Sequence, residues 1–230
     1  MTTILITGAS RGIGLEFVRQ YAKEGANVIA CCRNPDDAKE LNAIARESGG
    51  KVRTLPLDVS SKDSIVALGR TLDGEAIDIL INNAGISGPP KQSADEIDLE
   101  GWLDTFRVNT IAPVLVAQAL RENIKRGHDK KIVAITSMMG STEDHGGGMY
   151  AYRSSKAALN NAMRGLSREW SKDGIVIGIF HPGWVRTDMG GKNAAVAVED
   201  SVKGLRQRIA SRNVKNSGHY IDYAGAELRW

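Results

Sequence analysis

Cysteine is scarce in this sequence, where Cys31 and Cys32 are the only two and stand side by side. Adjacent cysteines rarely have the geometry for a mutual disulfide, and there is no third cysteine to pair with either one. The sequence therefore excludes a disulfide framework. The apolar stretch around the pair predicts buried thiols on a strand, with reactive thiols as the alternative.

Long apolar runs and a strong excess of one charge are also missing. The longest apolar run is far shorter than the ~18 residues that cross a bilayer, and no charged segment precedes the apolar residues after Met1-Thr2-Thr3. The formal net charge is +3, with Lys and Arg scattered among Asp and Glu, which does not indicate a nucleic-acid-binding face. We expect a cytoplasmic protein whose residues 1–230 form a single domain, with neither membrane nor nucleic acid as a partner.

Short apolar runs alternate with longer amphipathic stretches along the whole chain. Strands are predicted over Ile4–Thr7, Asn27–Cys32, Val52–Pro56, Ile77–Asn82, Lys131–Thr136, Ile175–His181 and His219–Asp222. Helices are predicted over Ile13–Lys23, Pro35–Glu47, Ser61–Leu72, Trp102–Lys125 and Ser154–Lys172. Several strands are apolar on both faces, so helices must cover both sides of the sheet. The pattern predicts a doubly wound, Rossmann-type α/β fold with about seven parallel strands.

A glycine-rich turn follows the first predicted strand and leads into the first predicted helix. It reads Thr7-Gly8-Ala9-Ser10-Arg11-Gly12-Ile13-Gly14. In such a turn, backbone N–H groups and the helix N-terminus face a pyrophosphate, and glycine is needed where a side chain would block the approach. The spacing differs from the G-x-G-x-x-G dinucleotide fingerprint, so an ordinary strand-to-helix connection remains the alternative.

The end of the second predicted strand distinguishes NADP from NAD. An acidic residue there would bind the adenosine ribose hydroxyls, but this sequence has Cys32 followed by Arg33, and Arg11 is a second nearby cation. A guanidinium can bind a 2′-phosphate with two parallel hydrogen bonds. We therefore predict that NADP(H) is preferred and that NAD(H) is accepted less well; the alternative is two solvated surface arginines.

Tyr152 and Lys156 are four residues apart, which places them on one face of a helix. A nearby ammonium and an oxidised nicotinamide would lower the pKa of the tyrosine. Ser137 follows a predicted strand, where α/β folds bind ligands, although strand-end serines often only cap the backbone. Asn109 lies in a predicted helix, either as a core asparagine bonded to backbone or as the anchor of a water that leads to Lys156.

Together these residues resemble the short-chain dehydrogenase/reductase family. The motifs that carry the resemblance are Thr7–Gly14, Asn82-Asn83-Ala84-Gly85, Asn109, Ser137, Tyr152–Lys156 and Pro182-Gly183 with Thr187. Asp58, in Leu57-Asp58-Val59, matches the aspartate that contacts adenine in the family. The short length and the segment Tyr220–Gly225 are similar to the small branch that contains the C-factor and the sniffer-type carbonyl reductases.

The resemblance implies an NADP(H)-dependent oxidoreductase that moves a hydride between the nicotinamide and a carbonyl or alcohol. Tyr152 would be the general acid in reduction, Ser137 would orient the substrate oxygen, and Lys156 would bind the nicotinamide ribose and lower the tyrosine pKa. Asn109 would hold a water that links Lys156 to solvent. No metal site is predicted. The implied cofactor contacts are Gly8, Ser10, Arg11, Gly12, Ile13, Gly14, Arg33, Asp58, Val59, Asn83, Ala84, Gly85, Tyr152, Lys156, Pro182, Gly183, Val185 and Thr187.

Two segments near the site depart from the family pattern. The interval between Ser137 and Tyr152 is longer than usual, and the extra residues are expected in a flexible rim over Ser141–Met149, where His145 is expected to be solvent-exposed rather than a second catalyst. The segment Asp188–Val198 is short and rich in Gly and Ala, which predicts an open or poorly ordered cover. Trp184 and Met189 could line an apolar pocket, or equally belong to the core or to an interface.

Two other functions compete with the oxidoreductase. One is an NAD(P)-binding signalling protein of the C-factor type with little or no turnover; the other is an epimerase or dehydratase, which would need more chain after the last strand for a nucleotide-sugar domain. The resemblance also implies a homodimer or homotetramer. Small apolar residues on two helices are candidates for that interface or for the core: Ala112, Leu115, Val116, Ala119, Ala158, Leu159 and Ala162.

Overall fold

A central parallel sheet organises the protein, which we describe from a computed structural model covering residues 1–230. Seven strands form this sheet in the order β3-β2-β1-β4-β7-β8-β9, and β5 and β6 form a separate antiparallel hairpin. The strands are β1 Thr3–Thr7, β2 Asn27–Cys32, β3 Val52–Pro56, β4 Ile79–Asn82, β5 Gln92–Ser93, β6 Glu96–Ile97, β7 Lys131–Ile135, β8 Val176–His181 and β9 Tyr220–Asp222.

The strand order reverses next to β1. This strand pairs with β2 on one side, where Ile6 is level with Ala30, and with β4 on the other, where Ile6 is level with Ile81. In a doubly wound sheet the ligand crevice opens at this reversal, beyond the carboxyl ends of the strands. The predicted Rossmann-type fold is confirmed, and the predicted site residues lie at this edge of the sheet.

Helices cover both faces of the sheet. They are α1 Gly12–Lys23, α2 Lys39–Glu47, α3 Lys62–Thr71, α4 Leu99–Phe106, α5 Ala112–Ala119, α6 Arg121–Arg126, α7 Tyr150–Glu169 and α8 Val198–Ser211. Alternate residues of β1 point to opposite faces: Ile4 and Ile6 pack under α1, α2 and α8, and Leu5 packs under α3, α5 and α7. This two-sided burial explains why the strands are apolar throughout. No helix combines the length and the apolar composition that a membrane span requires.

The two cysteines are buried on β2, as predicted. Both are free thiols, and Cys31 packs on the α3, α5 and α7 side while Cys32 packs on the α1, α2 and α8 side. Burial raises the pKa of the Cys31 thiol. A protonated, enclosed thiol is a poor nucleophile, so the structure favours a packing role over a reactive one.

The predicted helix Trp102–Lys125 is interrupted twice. A π turn occupies Arg107–Ile111, between α4 and α5, and Leu120 separates α5 from α6 with φ −103° and ψ 10°. Pro113, just after the π turn, has no backbone N–H to donate to the Asn109 carbonyl four residues before it, so a regular helical bond is missing at this interruption. The prediction of one continuous helix is therefore wrong.

Other differences concern the ends of elements and one missed helix. The catalytic-motif helix α7 begins at Tyr150 rather than Ser154, so Tyr152 and Lys156 do share one helix. Helix α8 was not predicted, although acidic residues stand in its first turn and Val202, Leu205 and Ile209 form its buried stripe. The expected helix at Pro35 begins at Lys39, after a 3₁₀ turn over Pro35–Asp37.

Candidate active site

The glycine turn between β1 and α1 is packed too closely for side chains at two positions. Gly8 has φ +66°, and a Cβ there would lie 2.9 Å from the Ala84 Cα. A Cβ on Gly14 would lie 2.2 Å from the Gly8 carbonyl oxygen. Glycine is therefore required by the conformation of the turn and by its contact with the loop after β4.

The N-terminus of α1 is open to an anion. Arg11 is the N-cap residue, and its side chain makes no capping hydrogen bond. The first-turn N–H groups of a helix have no intrahelical acceptor and carry partial positive charge. Ser10 and Arg11 are exposed, and Gly12 and Ile13 are partly exposed. These features fit the pyrophosphate of a dinucleotide.

The N-N-A-G motif holds the turn from the neighbouring strand. The Asn83 side-chain amide donates to the carbonyl oxygens of Thr7 (3.0 Å) and Gly8 (3.1 Å), and the backbone N–H groups of Asn83 and Ala84 both donate to the Thr7 hydroxyl. The Asn83 side chain is thus engaged with the protein itself. It shapes the phosphate turn, and Ala84 and Gly85 form the adjoining wall.

The side of the crevice predicted to bind adenosine contains one basic and one acidic residue, Arg33 and Asp58. Arg33 is exposed just beyond β2. Hydrogen bonds from Ser60, together with the positive charge of Arg33, lower the pKa of Asp58. The Ser60 hydroxyl and backbone N–H donate to Asp58 at 2.7 and 2.9 Å. Val59 packs partly against the core. Arg11, the other predicted cation, instead forms an exposed salt bridge with Asp188 at 3.1 Å.

Four elements bring the predicted catalytic residues together. Ser137 directly follows β7; its hydroxyl accepts from the Met139 N–H at 3.1 Å and lies close enough to Tyr152 on α7 to lower the pKa of that tyrosine. The Lys156 ammonium lies 5.8 Å from the centroid of the Tyr152 ring and donates to the Ile135 carbonyl at 3.0 Å. Gly85 lies beside both polar groups, because a Cβ there would be 3.7 Å from the Lys156 Nζ and 3.2 Å from the Asn109 Oδ1.

Burial is the main influence on the pKa values of Tyr152 and Lys156. It raises the pKa of Tyr152, an effect that the nearby Ser137 hydroxyl partly offsets. It also lowers the pKa of Lys156 to about 8. In the protein alone burial is the largest influence on the pKa of Tyr152, and the Lys156 ammonium donates to the Ile135 carbonyl. Tyr152 therefore holds its proton at neutral pH.

Asn109 lies fully buried in the π turn. Its Oδ1 accepts from the Ile86 N–H at 2.9 Å, and its Nδ2 donates to the Ile86 carbonyl at 2.8 Å and to the Ser155 hydroxyl at 3.1 Å. Of the two interpretations, the side chain matches a core asparagine bonded to backbone. It fixes the loop after β4 against α7.

The segment after β8 closes the other side of the glycine turn. Pro182 and Val185 are buried, Gly183 has φ +85°, and the Thr187 methyl lies 3.4 Å from where a Gly12 Cβ would be. Of the two expectations for Asp188–Val198, the structure matches the open cover, since residues 188, 189 and 191–193 are exposed. Val196 exchanges backbone hydrogen bonds with Trp184 and Arg186, and a Cβ on Gly190 would lie 2.0 Å from the Val185 carbonyl. Gly190 is thus required by close packing, whereas Gly191 has nothing within 4 Å.

Four apolar side chains in the segments after β7 and β8 are exposed. Trp184 and Met189 are more than half exposed, which excludes a core role, and Met138 and Met149 are also exposed. Trp184 is held by a 2.8 Å hydrogen bond from its indole N–H to the Gly190 carbonyl. His145 is exposed in the Ser141–Met149 loop, as expected, and accepts from the Gly147 N–H.

Two residues that support the site escaped sequence analysis. The Gln92 Oε1 accepts from the Tyr152 N–H at 3.0 Å, at the start of a helix whose N-cap residue, Met149, supplies no side-chain cap. The Tyr220 hydroxyl donates to the Ser137 carbonyl at 2.5 Å. Gln92 lies in no recognisable motif, and the segment that begins at Tyr220 indicated the branch of the family but no role for this residue. Both contacts join segments that are distant in sequence. Only the tertiary structure reveals them.

The fold and this site define a class of protein. A family model described as short chain dehydrogenase matches residues 2–197. The chain belongs to the short-chain dehydrogenase/reductase family and is an NAD(P)-dependent oxidoreductase.

Three relatives define the branch within the family. This chain is 41% identical over 155 residues to the C-signal of Myxococcus xanthus, a match that covers 67% of this chain and 93% of that protein. It is similar to the carbonyl reductase Sniffer of D. melanogaster, with 33% identity and a TM-score of 0.92 over 100% of both chains. An NADPH-bound carbonyl reductase from chicken fatty liver has 34% identity and a TM-score of 0.93, covering 100% of this chain and 99% of that chain. The predicted C-factor and sniffer-like branch is confirmed.

Proposed function

We propose that this protein is an NADP(H)-dependent carbonyl reductase in which Tyr152 is the proton donor. One observation carries the proposal: Tyr152 lies close to Ser137 and has the Lys156 ammonium 5.8 Å from its ring centroid, at the carboxyl edge where the glycine turn also opens. The crevice fits a dinucleotide through the open N-terminus of α1 and the closely packed glycines. Residues 1–230 would act as one dinucleotide-binding domain.

The raised pKa of Tyr152 suits reduction. A protonated phenol can donate to the substrate oxygen while the Ser137 hydroxyl orients that oxygen. NADPH, held by the glycine turn and the N-terminus of α1, would provide the hydride chemistry. Lys156, with a pKa of about 8, would bind the nicotinamide ribose and return a proton to Tyr152. In the oxidation direction Tyr152 would be the base, and the positive nicotinamide would have to lower its pKa.

Asn109 would complete a proton path to Lys156. The π turn Arg107–Ile111 interrupts the regular helical ladder at this residue, and such turns are frequent at functional sites. Since the Asn109 side chain is satisfied by Ile86 and Ser155, a water in this path would have to bind its backbone.

Arg33 supports NADP(H) over NAD(H). It is exposed beyond β2, where an acidic residue would favour the unphosphorylated ribose. Arg11 is paired with Asp188, so it would have to leave that salt bridge to join Arg33 on a 2′-phosphate. Because both partners are exposed, breaking this pair costs little.

Kinetics on wild type and Tyr152→Phe test the reaction. NADPH consumption would be followed with a panel of aldehydes, ketones and quinones, because the exposed apolar side chains do not identify one substrate. We expect turnover by wild type and a 10²- to 10⁴-fold lower kcat in the variant, because only the proton donor is removed. NADPH binding, measured by fluorescence, should persist in both. Unchanged turnover in Tyr152→Phe would refute its role.

Nucleotide titration tests the choice of cofactor. We expect wild type to bind NADPH at least about tenfold more tightly than NADH, the effect of one charged contact with the 2′-phosphate. Arg33→Ala should lose that preference, whereas Arg11→Ala should lose less of it. Equal affinities in wild type would reject NADP(H) specificity, and no binding of either nucleotide would reject the oxidoreductase proposal.

The relation to the protein named C-signal supports a second candidate function. In that case the dinucleotide crevice is retained and the output is signalling or a protein contact. NADPH binding without consumption of NADPH over the whole carbonyl panel would favour it. Both candidates are compatible with a cytoplasmic location and with self-association, which we also propose.

A further inference from the structure

Residues 223–230 fold back along the edge strand β9. The Asp222 carboxylate accepts from the N–H groups of Gly225 (2.7 Å) and Ala226 (2.8 Å), which closes a tight turn. Beyond the turn, Leu228 donates its N–H to the Tyr220 carbonyl at 3.0 Å. The returning segment thereby reaches the loop that follows Ser137.

The backbone oxygen of Trp230 holds that loop. It accepts from the Thr142 N–H (3.0 Å), the Thr142 hydroxyl (3.0 Å), the Glu143 N–H (3.2 Å) and the Ser141 hydroxyl (3.3 Å). Four donors from three consecutive residues converge on one acceptor. These residues begin the loop Ser141–Met149 in the long interval between Ser137 and Tyr152, and residues 144–149 after them are exposed.

The Trp230 ring is fixed between two side chains that lead back to the catalytic residues. It packs against the Tyr220 ring at 5.6 Å between centroids, and the Arg164 guanidinium of α7 lies 4.2 Å above it. Tyr220 is 2% exposed and donates its hydroxyl to the Ser137 carbonyl. Burial raises the pKa of Tyr220, so its hydroxyl remains a donor throughout the physiological pH range.

We propose that Tyr220 and Trp230 are positioning residues for the reaction, Tyr220 by fixing the backbone of Ser137 and Trp230 by fixing the loop over Ser141–Met149. The inference rests on the proposed function of Ser137 and Tyr152. Ser137 must hold its hydroxyl against both Tyr152 and the substrate oxygen, and a misplacement of about 1 Å can cost on the order of 10²-fold in rate. The hydrogen bond from Tyr220 restrains that position without touching substrate or cofactor.

Tyr220→Phe tests the first half of the proposal, since it removes the hydroxyl and keeps the ring on Trp230. We expect kcat to fall about tenfold, as for one buried hydrogen bond that matters in the transition state. The Kd for NADPH should not change, because the glycine turn is not in contact with Tyr220. A purely structural role would instead reduce the fraction of folded, NADPH-binding protein and leave kcat per binding site unchanged.

Tyr21→Phe is the matched control. Tyr21 is also a buried tyrosine, on α1, and the Arg206 guanidinium lies 4.5 Å from its ring centroid on the other face of the sheet. The same atom is removed from a second buried tyrosine, away from Ser137. We expect wild-type kcat. A kcat in Tyr220→Phe equal to that of wild type, or an equal loss in both variants, would overturn the role of Tyr220.

Trp230→Ala and Trp230→Phe test the second half. Hydrogen exchange of the Thr142 and Glu143 amides should accelerate at least about tenfold in Trp230→Ala, because the oxygen that they bind loses its ring anchor. The KM for the carbonyl should rise with it, and Trp230→Phe should restore much of both. Unchanged exchange in Trp230→Ala would overturn the tether. If wild type itself turns over no carbonyl, the proposed function fails, while the exchange rates still decide whether Trp230 holds the loop.

Discussion

Lys156 is a buried lysine in the candidate site, and its burial lowers the stability of the folded protein. It is 5% exposed, pairs with no carboxylate and has a single hydrogen bond, to the Ile135 carbonyl. Burial disfavours its charged form and lowers its pKa from 10.5 to about 8. Such a residue reduces stability, and in the proposed reaction it is retained for the chemistry at Tyr152.

Replacing this lysine should separate stability from activity. In Lys156→Met we expect the unfolding free energy at pH 7 to increase by on the order of 3 kcal/mol, the equivalent of the lowered pKa. We expect NADPH-dependent turnover to be lost. Urea denaturation at pH 7, together with carbonyl kinetics, measures both effects. A Met variant that is less stable at pH 7 would show that the bond to Ile135 outweighs the cost of burial.

The same residue predicts a pH dependence of stability. Between pH 8 and pH 10.5 the unfolded chain keeps the Lys156 proton while the folded protein releases it. The unfolded state therefore binds more protons, and stability contributed by this group rises with pH across that window. The difference in unfolding free energy between Lys156→Met and wild type should shrink from pH 7 to pH 10. A constant difference would contradict the lowered pKa.

At the scale of elements, two glycines on helices have opposite requirements. A Cβ on Gly14 in α1 would collide with the Gly8 carbonyl, whereas a Cβ on Gly165 in α7 meets nothing within 4 Å. We expect Gly14→Ala to destabilise the protein by several kcal/mol and to abolish NADPH binding, because the turn must move. Gly165→Ala should stabilise it by about 0.5–1 kcal/mol. Chemical denaturation and NADPH titration compare the two; a tolerated Gly14→Ala would show that the turn can adapt.

The elements also show how far the sequence determines the fold. The strands are encoded locally, since residues such as Ile4, Leu5 and Ile6 are apolar on both faces and their helices follow directly. The π turn at Asn109 is not encoded in this way. There the Asn109 side chain bonds to Ile86 and Ser155, which belong to other elements.

The candidate site also contains residues that local sequence patterns predict and residues that only long-range contacts reveal. Tyr152 and Lys156 could be predicted because one helix face joins them, and Gly8 and Gly14 because their turn adjoins a strand. The contact of Gln92 with Tyr152 could not, since it spans a hairpin with no local signal. Long-range hydrogen bonds of this kind are specified by the assembled structure and not by spacing.

At the scale of the whole molecule, some of the residues proposed for a subunit interface are buried in the core and others are partly exposed. Ala112, Val116 and Leu159 are buried in the protein's own core, which matches the core alternative for these three residues. Leu115, Ala119, Ala158 and Ala162 remain partly exposed. Leu103 and Ile111, on either side of the start of the π turn, are about half exposed. Self-association would bury these apolar side chains.

Light scattering coupled to gel filtration tests this association. We expect wild type to elute as a dimer or tetramer and Leu103→Lys to shift toward the monomer, because a charge would be buried in the interface. Val214→Lys, on an equally exposed apolar residue elsewhere, should leave the mass unchanged. A wild-type protein that is monomeric at all concentrations would contradict the prediction.

The adjacent cysteines of β2 can report the local opening of the two helical layers separately. Cys31 and Cys32 face opposite helical layers, so a thiol reagent can reach each one only after a different layer has lifted from the sheet. Labelling rates of the two single Cys→Ser variants would rank the opening free energies of the two layers under native conditions. The order in which the layers detach can thus be read without introducing any foreign label.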